Sequence, residues 1–190
     1  KKKYPDFNVT ATFFVNQGLF QQEEYDEKII KWLVSNGYDV GNHTLTHPDF
    51  TKIDTERTEK EVCGLYNILD SIIPGKYVNI IAMPFGSPYK STHSNFSHMK
   101  ECTYNGKEYK TKSLLRVGWE GEESPFSKEF DPLFLKRIRA YDNNGVDFDI
   151  EMNFKVLDTN KYISDGDLNT VVVPNQYKDK VKTDKEVRSY

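Results

Sequence analysis

Tyr38-Asp39-Val40-Gly41-Asn42-His43-Thr44-Leu45-Thr46-His47-Pro48 reads as a short strand running out into a loop. Pro48 disfavours helix for His47 and brings no backbone donor of its own, so the segment after Gly41 is irregular chain. Two of the four histidines of the chain lie here, four positions apart. Neutral imidazoles held on such a loop can turn a ring nitrogen toward one point, as a borderline-soft divalent ion such as zinc requires. Against this stands a plainer reading: such spacing also arises by chance, a single histidine at a strand end is commonly a hydrogen-bonded structural residue, and two ligands do not complete a site.

Working outward, the flanking segments alternate in period. Val9 to Val15 is a β-branched and aromatic run, which predicts a buried strand, and Asn16-Gln17-Gly18 turns after it. Between Glu24 and Asn36 the apolar Ile29, Ile30, Leu33 and Val34 recur at helical spacing, with Gly37 suited to the stop. Thr51 to Ile72 predicts a second helix, with Val62, Leu65, Tyr66, Leu69, Ile72 and Ile73 on one stripe and Glu56, Arg57, Lys60 and Glu61 opposite. Pro74-Gly75 ends it, and Tyr77 to Met83 is a near-continuous apolar strand of the kind found in covered parallel sheets. Strand, helix, strand, helix, strand defines an α/β domain. The loops after Val15, Gly41 and Met83 are then expected on one rim, where ligand sites of such sheets gather.

Beyond Gly86 the pattern is less regular. Ser91 to Cys102 predicts a short helix, on which His93 and His98 point in different directions and take surface roles. Tyr104-Asn105-Gly106-Lys107 carries the Asn-Gly hairpin signal, followed by a strand over Lys112 to Trp119. Phe134 to Tyr141, Val146 to Phe154 and Thr170 to Val173 read as further strands or short helices, with turns at Asn143-Asn144-Gly145 and Asp165-Gly166-Asp167. From Asn175 the sequence is charged and poorly patterned, so residues 1–174 are read as one domain and 175–190 as a loosely held charged tail.

The 190 residues suffice for one hydrophobic core, and 37% hydrophobic against 29% charged residues describes a strongly polar surface. A net charge of −3 provides no electrostatic footprint for nucleic acid, and no apolar run is long enough to span a membrane. Cys63 and Cys102 pair only if the fold brings them together; Cys63 falls within a helical pattern and reads as a buried free thiol. Asn8-Val9-Thr10, Asn42-His43-Thr44 and Asn95-Phe96-Ser97 match the glycosylation pattern by coincidence.

Three segments, in order along the first half of the chain, resemble the polysaccharide deacetylases, the NodB homology domain of carbohydrate esterase family four. The loop His43-Thr44-Leu45-Thr46-His47 resembles the second motif of that family, Val9-Thr10-Ala11-Thr12-Phe13-Phe14-Val15 its Ala-Thr-Phe-Phe strand, and Ile80-Ile81-Ala82-Met83-Pro84-Phe85-Gly86 its third motif. The resemblance implies an α/β fold, an incomplete or distorted (β/α) barrel of the NodB type missing its first strand. It implies metal-dependent deacetylation of N-acetylated sugars in a cell-wall or extracellular polysaccharide, with an acetylated polysaccharide or oligosaccharide as partner and an extracellular or envelope location. A carbohydrate-binding or scaffold domain that retains the fold without turnover is the rival reading.

The same resemblance assigns roles. His43 and His47 would hold the divalent metal, zinc with cobalt or nickel as alternatives, and Thr44 would brace the loop. The Phe85 backbone N–H would help form the oxyanion hole; a turn closing a buried strand is its plainer role. The third ligand and the base belong to an Asp-Asp first motif, expected upstream of Lys1 because Asp6 stands too close to the strand; without it this chain is expected to be inactive or nearly so. Ala82 occupies the position where many members have arginine; a subgroup resembling the exopolysaccharide deacetylases has alanine there too, and this chain is more similar to it. Arg137 would supply that cation or else a surface salt bridge, and Trp119 would stack a sugar ring or belong to the core. The fifth motif, Leu-x-His, has no match, and no acid is assigned.

Overall fold

The computed structural model describes residues 10–118, 120–138, 140, 142–146, 150–159 and 164–190. The chain forms two compact units, Lys1–Arg116 and Val117–Tyr190.

In the first unit the periodic segments become β1 (Thr12–Val15), α1 (Asp26–Ser35), β2 (Asp39–Asn42), α2 (Thr55–Ile72) and β3 (Ile80–Ala82). A short helix α3 (Ser94–Lys100), the hairpin β4 (Glu101–Tyr104) and β5 (Lys107–Lys110), and β6 (Ser113–Val117) follow. Strands β1, β2, β3 and β6 lie side by side and all run parallel, with Thr12 opposite Asp39, Asn42 opposite Ile81 and Ile80 opposite Ser113. Because every connection returns the chain in the same direction, the carboxyl ends of β1, β2 and β3 share one edge, as the sequence predicts. Among the described residues this sheet does not close into a barrel.

Local chemistry accounts for the helices. Asp54 caps α2, its carboxylate accepting the Arg57 N–H at 2.7 Å. Helix α1 lacks a side-chain cap; Asp26, buried in its first turn, reaches back to the N–H groups of Phe20 and Gln22 at 3.1 and 3.2 Å. Ile30 and Leu33 of α1, Leu69 and Ile72 of α2, and Ile73 just after it bury against Val15 and Val40 of the strands in one apolar cluster. In the hairpin, Asn105 (φ 50°) and Gly106 (φ 74°) supply the left-handed pair that a two-residue turn needs.

Three expectations are corrected. Cys63 is not a free thiol: it is bonded to Cys102, which ties α2 to β4 with 6.1 Å between the Cα atoms. Glu61, placed by helical periodicity on the polar face of α2, is fully buried. Residues 175–190, expected as a loose tail, contain a turn of 3-10 helix over Asn175–Lys180 and a strand over Glu186–Ser189. Asn42 and Asn95 are buried and donate to backbone carbonyls, so neither is a glycan acceptor in this fold.

The second unit contains β7 (Phe134–Arg137), α4 (Ile150–Thr159), β8 (Thr170–Val173) and β9 (Glu186–Ser189). β8 and β9 pair in parallel from Thr170 opposite Glu186 to Val173 opposite Ser189. The segment between them is about the dozen residues that a parallel crossover needs. Arg188 pairs with Asp165 at 3.2 Å, and the Asp165 carboxyl, held below its usual range first by the Thr170 hydroxyl, anchors the turn before β8.

Candidate metal centre

The loop after β2 is fastened at nearly every residue. Asn42, wholly buried at the strand end, donates to the Val62 carbonyl at 2.9 Å and accepts the Thr44 N–H at 2.8 Å. Asn16, after β1, donates to the carbonyls of His43 and Thr44 at 2.6 and 3.2 Å. The Glu61 carboxylate accepts both the N–H and the hydroxyl of Thr46, at 2.8 and 2.7 Å, while its own carbonyl takes the Leu45 N–H at 3.1 Å. Arg57 pairs with that carboxylate at 2.6 Å. Gly64 lets the loop come this close to α2: a Cβ there would stand 2.7 Å from Leu45 Cδ1.

This fastening holds an unfavourable backbone. Thr44 (φ 70°) and His47 (φ 59°) are both left-handed without being glycine, and Thr44 is β-branched. Conformations of this kind persist only where the surroundings over-determine them. The Thr44 hydroxyl contributes by accepting the His47 N–H at 3.1 Å.

Two imidazoles result, side by side. The rings of His43 and His47 lie 4.8 Å apart between centroids at 77°. Two rings bonded to one zinc at about 2.0–2.1 Å and near the tetrahedral angle would stand roughly 5 Å apart, so the pair fits a shared ion. His43 is half-buried and His47 exposed. His43 Nδ1 lies 2.5 Å from the Ala82 carbonyl oxygen, which can only accept, so Nδ1 carries the proton and Nε2 is the lone-pair nitrogen. Position 82 thus serves His43 through its main chain, whatever its side chain.

Phe85 stands across from them. The turn Pro84–Gly86 puts it at φ 55°, and its ring, 58% exposed, meets His47 edge-on at 4.7 Å. Next to this turn, the Asp49 carboxyl is held well below the usual carboxylate range, first by the Ser87 hydroxyl and then by that of Thr51. Among the described residues no group of three or more His, Cys, Asp or Glu could hold a metal.

His93 caps α3 by accepting the Asn95 N–H, and His98 pairs with Glu59 at 2.6 Å, both outside the paired-histidine loop. Arg137 is half-buried on β7 in the second unit. Trp119 lies outside the described residues. Sequence reasoning does not single out Asn16, Asp49, Glu61 and Ser87, which organise the loop; Asp49, directly after His47-Pro48, is the one whose position could draw notice.

A parallel α/β sheet whose carboxyl rim presents two facing imidazoles and an exposed aromatic turn defines an α/β domain with a histidine-bearing rim. The particular family follows from comparison: residues 5–105 match the polysaccharide deacetylase family, and the chain belongs to it. Members of that family are hydrolases acting on amide bonds and are generally metal-dependent. The chain is 31% identical over 81 residues to a chitooligosaccharide deacetylase of Sinorhizobium fredii, covering 43% of this chain and 36% of that protein. It is 30% identical over 84 residues to a peptidoglycan-N-acetylglucosamine deacetylase of Bacillus cereus, covering 44% and 29%. The match thus spans about a third of the length of these relatives. A polysaccharide deacetylase structure from Bacillus cereus superposes with a TM-score of 0.52 at 22% identity, over 73% of this chain and 40% of that one, a likeness of fold.

Proposed function

We propose that this chain is the histidine-bearing part of a metal-dependent deacetylase acting on N-acetylated sugars of a cell-wall or extracellular polysaccharide. The observation that carries the reading is the facing pair His43 and His47, 4.8 Å apart, with the tautomer of His43 set by the Ala82 carbonyl. Both rings would hold the ion, through Nε2 in the case of His43; Thr44 keeps His47 in place through its N–H. When bound, a divalent ion such as zinc supplies Lewis acidity, lowering the pKa of water and polarising the amide carbonyl. To the Phe85 backbone N–H we assign donation to the oxyanion that forms as the acetamide is attacked, a role independent of the side chain at that position.

On this reading the third ligand and the general base come from carboxylates outside the described residues, and the sheet is part of an incomplete or distorted barrel. The 190 residues alone are then inactive or nearly so. The relatives named for chitooligosaccharide and peptidoglycan point to an N-acetylglucosamine-containing substrate. The Cys63–Cys102 bond supports an extracellular or envelope location, because disulfides persist in oxidising compartments.

The test is zinc retention and acetate release from chitooligosaccharides and peptidoglycan fragments by a form carrying an Asp-Asp motif ahead of this segment. Retention abolished in His43→Ala and His47→Ala, together with acetate release, supports the reading. Glycan binding with neither zinc retention nor acetate release would replace it with a non-catalytic carbohydrate-binding domain.

A further inference from the structure

Two loops meet at the rim, and each carries a non-glycine residue in the left-handed region, His47 at φ 59° and Phe85 at φ 55°. Such conformations persist only where neighbouring groups hold them. Two positions beyond each of them lies one half of a single contact. The Ser87 hydroxyl donates to Asp49 Oδ1 at 2.6 Å, and the same oxygen accepts the Thr51 N–H at 3.0 Å and the Thr51 hydroxyl at 2.7 Å. Ser87 Oγ in turn lies 3.1 Å from the Thr51 N–H, and Ser87 is completely buried. The segment after Asp49 is fixed from its other side by Asn95 of α3, which donates to the carbonyls of Phe50 and Ile53 at 2.7 and 2.8 Å.

We propose that Asp49 and Ser87 are positioning residues, whose hydrogen bond clasps the histidine loop to the Pro84–Gly86 turn and sets where the His47 ring stands. The inference rests on the reading of His43 and His47 as a metal-holding pair. A part-buried Ser–Asp bond that served packing alone would change stability and leave His47 where it is. The clasp instead predicts that the His47 ring leaves Phe85 when the bond is cut, because this bond joins the two loops only two positions from each of those residues.

The experiment compares Ser87→Ala, Asp49→Ala and Asp49→Asn with wild type, each in the form that carries the Asp-Asp motif ahead of this segment; in Asp49→Asn the side-chain amide oxygen still accepts from Ser87. Two quantities are read: the NMR shifts of the His47 ring protons, which carry the ring current of Phe85 at 4.7 Å, and the zinc dissociation constant from a competition titration. In the two alanine variants the ring-current shift collapses and zinc binds about tenfold or more weakly, the usual effect of losing an outer-shell partner, while Asp49→Asn stays within about threefold of wild type. Alanine variants that melt at lower temperature yet keep wild-type His47 shifts overturn the clasp. If Ser87→Ala does not fold, Asp49→Ala, at a half-buried position, makes the same decision. A wild-type form carrying the Asp-Asp motif that binds no zinc sinks the metal reading instead; the His47 shifts then decide the clasp by themselves, collapsed shifts sustaining it and retained shifts ending it.

Discussion

Reducing the Cys63–Cys102 bond changes no residue and therefore isolates what the cross-link does. The two cysteines are 39 positions apart. Closing a loop of that length removes about 13 cal/mol/K from the unfolded chain by the loop-entropy relation, or about 4 kcal/mol at 25 °C. With a urea slope of about 2 kcal/mol/M, the midpoint of unfolding falls by about 2 M on reduction. The assay is a pair of urea titrations followed by circular dichroism, with and without dithiothreitol, the mass of the protein confirming loss or retention of the bond. The closed loop runs through β3, Phe85 and Ser87 but contains neither His43 nor His47, so zinc affinity should change far less than the midpoint. A shift below about 0.5 M would refute the reasoning, because the cross-link would then not be restraining the unfolded chain. Two thiols reacting with a thiol reagent in unreduced, unfolded protein would refute the bond itself.

The remaining predictions concern the core and the loop supports. Burial raises the Tyr66 phenol above its ordinary pKa of 10.0, and the neighbouring Tyr77 is pushed up to about 12, first by burial. A raised pKa means that the stability contribution is full below pH 10 and is lost above it, as the unfolded chain ionises first. The slope is about 1.4 kcal/mol per pH unit for each such group, and Tyr66→Phe should flatten the alkaline end of a stability–pH curve. Gly64→Ala brings a Cβ to 2.7 Å from Leu45 Cδ1 and should weaken zinc binding by shifting the middle of the histidine loop. Its stability cost, about 1–3 kcal/mol for overpacking, is partly offset by about 1 kcal/mol of helix propensity, and thermal melts read the difference. Glu61→Gln cannot satisfy the Thr46 N–H, the Thr46 hydroxyl and Arg57 together, and should cost about 1–3 kcal/mol in chemical denaturation.

What can be read from the residues, and what cannot, divides by the range of the interactions. Helices α1 and α2 and the strands β1, β2, β3 and β6 announce themselves because apolar period is a local property, whereas Glu101 and Cys102, read as the end of a helix, open β4; Ile29, Ile30 and Leu33 need no knowledge of what they will meet. The histidine loop is legible for the same reason, since its chemistry lies within five consecutive residues. Glu61 defeats periodicity because its burial depends on Thr46 and Leu45, residues on another element that come over α2 through the gap at Gly64. Cys63 misleads for a related reason: whether a helical cysteine meets a strand cysteine 39 positions away is settled by packing, which spacing does not encode. β9 presents the same difficulty, since Glu186 and Arg188 read as tail charges until β8 supplies a partner and puts Val187 opposite Val171. Phe85 adds a different case, in which the motif locates the turn but not its left-handed backbone, a conformation that phenylalanine would not choose alone. The residues that hold the rim in shape are thus the least visible ones, because each acts by reaching a group far away in sequence. Their substitution should therefore disturb the geometry of the histidine pair while leaving the motif itself intact.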